Sequence, residues 1–186
     1  MKPYETYPTS IKRKDRTYDL NLSFKAVFLC LEIFNDEQLE DEDKIILALD
    51  ILIKGEHPRD PDLLEAILYL LKPKTPADPS EEKTIDVIED YDYIVSSFRQ
   101  AYQIDLVKEN IHYQEFITLL NGLPEGTKIV DVVRIRTMKI PQPNEYNKEQ
   151  IADIIRLKNK YALQGTKPKF DDGLASLFNS LKGRAE

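Results

Sequence analysis

The residues that could carry chemistry in this sequence are few and scattered. The chain has two histidines, His57 and His112, and one cysteine, Cys30. His112 stands three residues before Glu115, so on a helix the two would share a face and could offer a metal two ligands. Two ligands do not make a metal site, and we interpret His112 as a residue that begins a helix. His57 precedes Pro58 in a connecting segment, which favours a surface position.

Motifs of the common enzyme classes are absent from the sequence. The six glycines form no phosphate-binding loop before a Lys-Ser or Lys-Thr pair, and there is no Gly-x-Ser-x-Gly elbow. Carboxylates crowd the stretch from Asp36 to Asp43, but their pattern is typical of a solvated helix start, and they lack the spacing of a calcium loop. A lone cysteine excludes an internal disulfide and a cysteine-rich zinc site. The sequence therefore predicts a non-enzymatic protein without catalytic, cofactor-binding or metal-binding residues.

Basic residues are the remaining candidates for contact with a partner. They form two stretches, one with Lys12, Arg13, Lys14 and Arg16, the other with Arg156, Lys158, Lys160, Lys167 and Lys169. Both stretches fit a solvated surface, or an acidic partner that could be another copy of this chain. Arg134 and Arg136 stand in an otherwise apolar segment, where an arginine needs a counter-charge such as Asp131 or Asp105. For these two arginines the sequence leaves a structural ion pair and a partner contact open.

Composition and charge narrow the class of protein. The 186 residues include 26 Lys+Arg and 33 Asp+Glu, a net charge of −7, which argues against nucleic acid as a partner. With 41% hydrophobic residues, a chain of this length can bury roughly 70% of its unfolded surface. The longest apolar stretches, at 45–53 and 63–71, fall short of a membrane span, and residues 1–10 lack the apolar core of a signal peptide. We expect a cytoplasmic protein with no membrane partner.

Hydrophobic periodicity predicts a mainly α fold, a helical bundle of about six helices with a small N-terminal β-hairpin and a short C-terminal amphipathic helix. The hairpin is expected within 8–22, around the charged turn 13–16. Three helices are expected to follow a capping residue: one begins at Phe24 after Ser23, one at Pro61 after Asp60, and one after Thr127. The other helices are expected at 41–54, 85–102 and 111–121, and from Asn147 to Gly165. A capping box pairs Asn147 with Gln150, and the β-branched run 130–135 leaves a strand possible in place of the sixth helix.

The proline spacing in residues 73–83 predicts an extended linker. We expect a single helical domain over 1–165, with lobes 8–72 and 84–165 as the alternative division. The tail, 166–186, carries one short amphipathic pattern, because Leu174, Leu177, Phe178 and Leu181 fall at i, i+3, i+4 and i+7. A helix this short is unstable alone in water, so it must dock on its own chain or on a partner. These four residues, with Arg134 and Arg136, are the candidate partner-binding residues.

Three stretches carry a family resemblance: Asp90–Leu106, His112–Pro124 and Val132–Pro141. Together with the hairpin that runs into the helix at Phe24, they resemble the bacteriophage gene product fifteen family of tailed phages and prophages of Gram-positive bacteria. The resemblance covers most of residues 8–165 in order.

The resemblance implies a protein encoded near the major tail protein and the tape measure protein. It implies a tail assembly chaperone in the host bacterial cytoplasm that coats the tape measure helix, binds tape measure or major tail protein, and self-associates. A structural or adaptor protein retained in the tail is the alternative. The family carries no established catalytic residues.

Overall fold

The computed structural model describes residues 6–72, 84–144 and 146–163, and within these ranges the chain is mainly helical. They contain three strands, β1 Ser10–Arg13, β2 Arg16–Leu20 and β3 Ile53–Lys54, and seven helices, α1 Phe24–Asn35, α2 Asp41–Leu52, α3 Pro61–Leu71, α4 Tyr91–Tyr102, α5 Tyr113–Asn121, α6 Lys128–Thr137 and α7 Lys148–Lys160. The predicted mainly α fold with an N-terminal hairpin is confirmed. The linker 73–83 and the tail helix with Leu174, Leu177, Phe178 and Leu181 lie outside the described residues.

The described chain forms two compact units. The N-terminal unit contains residues 6–72 and 110–118, and the C-terminal unit contains 84–109, 119–144 and 146–163. The chain thus returns to the N-terminal unit with the first part of α5. The domain boundaries expected from the sequence stay a prediction, because a spatial grouping does not test independent folding.

The hairpin has the predicted charged turn but belongs to a three-stranded antiparallel sheet. Arg13 pairs with Arg16 across the turn, where Lys14 has a φ of 53°. The third strand was not predicted, because α2 was expected to continue to Lys54. The helix instead ends at Leu52, and Ile53 pairs with Leu20. Both of these side chains are buried, so the β-branched Ile53 gains a cross-strand apolar neighbour that one more helical residue would not provide.

Apolar residues of α1, α2, α3 and α5 form the core of the N-terminal unit. Ser23 begins α1 as predicted, since its hydroxyl accepts a hydrogen bond from the Ala26 N–H. The ring of Phe24 stacks on Phe116 of α5 with centroids 4.9 Å apart, and both side chains are fully buried. The predicted start of α3 is also confirmed: Asp60 accepts a bond from the Asp62 N–H at 3.0 Å.

In the C-terminal unit, α4 begins at Tyr91 and not at residue 85 as predicted. Asp86 accepts hydrogen bonds from the Ile88 and Glu89 N–H groups, both at 2.9 Å, and Asp90 accepts one from the Asp86 N–H at 3.0 Å. Aspartate side chains that bond to nearby backbone stabilise turns in competition with helix. Asp86 and Asp90 therefore form a turn where the sequence predicted the first turn of the helix.

Thr127 and Asn147 occupy the predicted N-cap positions of α6 and α7, but neither side chain makes a cap hydrogen bond. Thr127 donates its hydroxyl hydrogen to the Pro124 carbonyl, and the Ile129 N–H is instead satisfied by Ser97 of α4 at 2.9 Å. Asn147 accepts a bond from the Asn144 N–H and makes no cap bond to α7. The run 130–135 is helical, which removes the strand alternative.

The last described helix is also shorter than predicted. It ends at Lys160, with Tyr161 as its C-cap, whereas the apolar pattern suggested a continuation to Gly165. Gly165 itself lies outside the described residues.

Candidate partner-binding surface

Arg136, near the end of α6, is the best-connected charged residue described in the C-terminal unit. Its guanidinium forms a bidentate ion pair with Asp90, with nitrogen–oxygen distances of 2.7 and 2.8 Å. It also donates to the Thr84 carbonyl at 2.8 Å and to the Tyr161 carbonyl at 2.6 Å. The Asp90 side chain is 1% exposed and that of Arg136 is 11% exposed. All three guanidinium nitrogens therefore donate hydrogen bonds within this unit. These bonds connect the end of α6 to the segment that begins α4 and to the end of α7.

Two lysines complete the attachment of α7. Lys158 donates to the carbonyl oxygens of Arg136 and Met138 at the end of α6, where helical carbonyls have no intrahelical partner. Lys128 donates to the Tyr161 hydroxyl at 2.8 Å and lies 4.5 Å from the centroid of that ring. The bond from Lys128 lowers the pKa of the Tyr161 phenol. Both lysines act near the C-terminal end of α7, so this end is held by polar contacts.

Arg134 faces solvent, unlike Arg136. It pairs with Asp131 at 3.0 Å, one of the two counter-charges predicted for it, and its side chain is 71% exposed. Asp105, the other predicted counter-charge, pairs with Arg99 at 2.9 Å instead. This hydrogen bond from Arg99 lowers the pKa of Asp105. The structure thus gives both candidate arginines an ion pair, a buried one for Arg136 and an exposed one for Arg134.

α7 presents an apolar stripe that its own unit covers only in part. Ile151, Ile154 and Ile155 fall at helical spacing, and the helix has no buried residue. Ile155 is 42% exposed and Leu157 is 36% exposed. We call the four residues Ile151, Ile154, Ile155 and Leu157 the α7 surface. Met138 and Ile140, in the segment that follows α6, are 38% and 48% exposed. A contiguous exposed apolar patch, unlike single scattered residues, can mark a protein-binding surface.

The basic hairpin turn makes its contacts within the N-terminal unit. Arg13 donates to the Asp62 carbonyl at 3.2 Å, and Arg16 donates to the Glu56 carbonyl at 2.9 Å. The acidic stretch 36–43 is exposed apart from the half-buried Leu39. Arg13 and Lys14 line an open cavity with Tyr18, Asp60 and Asp62. Because basic and acidic side chains both line it, no single ligand chemistry is favoured, and we assign no site to either stretch.

His112 has a structural position at the start of α5. Its Nδ1 accepts a hydrogen bond from the Gln114 N–H at 3.1 Å, so Nε2 carries the proton that it donates to the Pro8 carbonyl at 3.1 Å. The ring also stacks on Tyr7 with centroids 4.9 Å apart. Burial lowers the pKa of His112, which favours this neutral, capping form. The sequence predicted a helix start at His112. It did not predict the hydrogen bond from the His112 ring to the Pro8 carbonyl, 104 residues earlier in the chain.

The other candidate reactive groups have ordinary structural surroundings. His57 lies 3.0 Å from Asp50, and Cys30 is buried among apolar residues of α1 and its neighbours. Burial raises the pKa of Cys30 to about 12, so its thiol is not a ready nucleophile. No group of three histidine, cysteine or acidic residues that could hold a metal occurs in the ranges 6–72, 84–144 and 146–163. None of the helices in these ranges has the length and apolar character that crossing a membrane requires.

Comparison with protein families assigns the chain to a class. The model of the family described as Bacteriophage Gp15 protein matches residues 5–163. The match includes all seven described helices, the sheet, and the Asp90–Arg136 pair. The chain therefore belongs to the Bacteriophage Gp15 protein family, as the resemblance indicated. Searches of curated proteins and of solved structures returned no significant match.

Proposed function

We propose that this protein is a non-enzymatic tail assembly chaperone that binds an amphipathic helix of the tape measure protein during phage tail morphogenesis. It would act in the cytoplasm of the host bacterium, with the major tail protein as a second partner and self-association along a long client. A position among phage tail proteins rests on the family. The tape measure as client is our inference, and nucleic acid and membranes have no part in the proposed activity.

The observation that carries the proposal is the α7 surface. A helix with no buried residue, yet with three isoleucines at helical spacing, has apolar area left for another helix. Fully burying one such side chain is worth roughly 1.5–3 kcal/mol, and 1.4 kcal/mol is about a tenfold change in affinity. Two half-exposed residues, Ile155 and Leu157, can therefore decide whether a client is held or lost.

Arg136 positions this surface and, in our proposal, does not contact the client. Its bond to the Tyr161 carbonyl and the Lys158 bonds to α6 fix the C-terminal end of α7. Polar anchoring of this kind fixes orientation without using the apolar side chains. Arg134 is exposed and stays a candidate for the polar rim of the contact.

The test is capture of the tape measure protein encoded beside this chain. Co-expression followed by affinity pull-down should recover a complex with the unaltered protein. Ile155→Glu or Leu157→Glu should weaken capture roughly tenfold or more, because each places a charge where an apolar side chain would be buried. Circular dichroism should stay unchanged, since both side chains are already well exposed.

Matched controls come from the N-terminal unit. Leu29 is 47% exposed and Leu47 is 38% exposed, so Leu29→Glu and Leu47→Glu make the same chemical change at equal exposure. Equal losses of capture in all four variants, or no loss in any, would count against the α7 surface as the binding site. Mass spectrometry of purified virions tests the alternative, a structural or adaptor protein, which would remain in the particle.

A further inference from the structure

We propose that two copies of this chain pack α7 against α7 in an antiparallel, two-fold symmetric dimer when no client is bound. The contact uses the side of α7 that carries Ile151, Ala152 and Ile155. A client would then compete with the second copy for part of the α7 surface. Only this consequence rests on the proposed function, because the dimer itself needs no client.

The side of α7 that forms the contact is apolar along its middle. Because an α-helix turns by about 100° per residue, Ile151, Ala152 and Ile155 lie on one side of the helix. Ile155 is 42% exposed, Ala152 is also exposed, and Ile151 is half-buried. The distance between two packed helices depends on the side chains at the contact, so a small residue such as Ala152 permits a close approach. This side of α7 can therefore accept a second helix.

Two opposite charges border this apolar strip along the same edge. Glu149 and Arg156 are exposed and seven residues apart, which is close to two helical turns. A two-fold axis beside Ala152 reverses one helix relative to the other and sets Glu149 of each copy opposite Arg156 of the other. It also brings Ile151 of each copy next to Ile155 of the other. The strip is therefore complementary to itself, as a symmetric dimer requires.

The ion pair that Arg156 makes within its own helix does not oppose this contact. Arg156 bonds to Asp153 at 3.0 Å, and the two side chains are 78% and 59% exposed. An exposed pair of this kind contributes little to stability, so the guanidinium can turn to Glu149 of the second copy at little cost. Two charge pairs around one apolar strip also fix the register of the dimer.

The length of α7 limits how tightly two copies can bind. The helix has 13 residues and is about 20 Å long. Two helices of this length bury less than the roughly 1,200 Å² below which protein interfaces are typically weak and transient. We therefore expect a dimer that dissociates at micromolar concentrations. A client that binds α7 more tightly than the second copy does would displace that copy.

Sedimentation velocity of the full-length protein without a client measures the dimer directly. The unaltered chain should convert from monomer to dimer as its concentration rises. Glu149→Arg and Arg156→Glu should each weaken the dimer roughly tenfold or more, because each replaces two ion pairs by two like-charge contacts. An equimolar mixture of these two variants should dimerise again, since unlike chains then place opposite charges together. Arg99→Glu, which breaks an exposed ion pair of α4, is the control and should leave the dimer unchanged.

A cysteine near the two-fold axis tests the register. Ala152→Cys should form a disulfide between two chains under mild oxidation, because the symmetry brings residue 152 of both copies together. Leu47→Cys, which is exposed in the N-terminal unit, should cross-link at least roughly tenfold more slowly, since docking does not raise the effective concentration of its thiol. Native Cys30 is buried, so it interferes little. Circular dichroism checks that every variant keeps its helices.

Four results would each overturn the proposal. They are a chain that stays monomeric at every concentration, charge variants that dimerise as tightly as the unaltered protein, a mixture that does not recover the dimer, and equal cross-linking at residues 47 and 152. Since no client is present, a monomeric chain leaves the pull-down prediction intact. A failed pull-down likewise leaves the dimer intact.

Discussion

Replacing Asp90 with asparagine tests whether the ion pair with Arg136 holds the C-terminal unit together. The substitution keeps the shape of the side chain but removes its charge. One carboxylate oxygen of Asp90 becomes an NH2 group, which cannot accept the bonds that now come from Arg136 or from the Asp86 N–H. Because the Asp90 side chain is 1% exposed, water cannot replace the lost acceptor.

The expected loss follows from this burial. Removing one partner of a buried, hydrogen-bonded ion pair costs about 3–5 kcal/mol, since the other charge is left without compensation. The exposed pair of Arg134 and Asp131 is the matched control, because ion pairs of that kind contribute about 0–1 kcal/mol. We therefore expect Asp90→Asn to lower the free energy of unfolding by about 3–5 kcal/mol and Asp131→Asn by less than about 1 kcal/mol.

Urea unfolding followed by circular dichroism measures both variants, and amide hydrogen exchange shows whether the loss is confined to residues 84–163. Arg136→Met combined with Asp90→Asn should cost less than the sum of the two single substitutions, because it leaves no buried charge. Equal costs for Asp90→Asn and Asp131→Asn, or strict additivity in the cycle, would refute the reasoning.

Three further predictions concern the N-terminal unit. Phe116→Ala should lower the free energy of unfolding by about 3–5 kcal/mol, because it removes a fully buried ring stacked on Phe24, whereas the exposed Tyr69→Ala should change it little in the same urea titration. Burial lowers the pKa of His112 below 6.5, so the unfolded chain binds the proton more readily, and stability should be full above about pH 6.5 and fall as the pH drops below it. His112→Gln should flatten this dependence, which urea titrations at several pH values measure. Cys30 should resist a thiol reagent at pH 8 in the folded protein and react at once in urea, and rapid reaction without urea would contradict its burial.

The sequence predicted those features of the fold that depend on neighbouring residues. The caps at Ser23 and Asp60 are correct because each is a local bond between a side chain and the first turn of its helix. The β3 strand escaped prediction because its two residues are defined by pairing with β2, more than thirty residues earlier in the chain. The spacing of residues within one segment carries no information about a pairing partner so far away in the chain.

Thr127 and Asn147 hold the N-cap positions of α6 and α7, but their side chains make bonds other than the predicted cap bonds. The Ile129 N–H bonds to Ser97, a residue of another helix, although Thr127 has the right type and position for a local cap. For Arg136 the sequence predicted the need for a counter-charge, and it indicated Asp131 or Asp105 as that counter-charge. Asp90 lies within the helix predicted over 85–102, and only the folded chain brings it 2.7 Å from the guanidinium.

In the C-terminal unit, polar contacts position α7 while its apolar side chains stay largely uncovered, and this separation bears on how a client could be bound and released. α7 is held mainly through its C-terminal end, by the Arg136 bond to Tyr161, the Lys158 bonds to α6 and the Lys128 bond to the Tyr161 hydroxyl. Its apolar side chains add no buried residue to the unit. A helix positioned by polar contacts can exchange one apolar neighbour for another without loss of its place, since neither neighbour supplies the contacts that position it. Binding and release of a client would therefore change the apolar contacts of α7 and leave the polar contacts that position it in place.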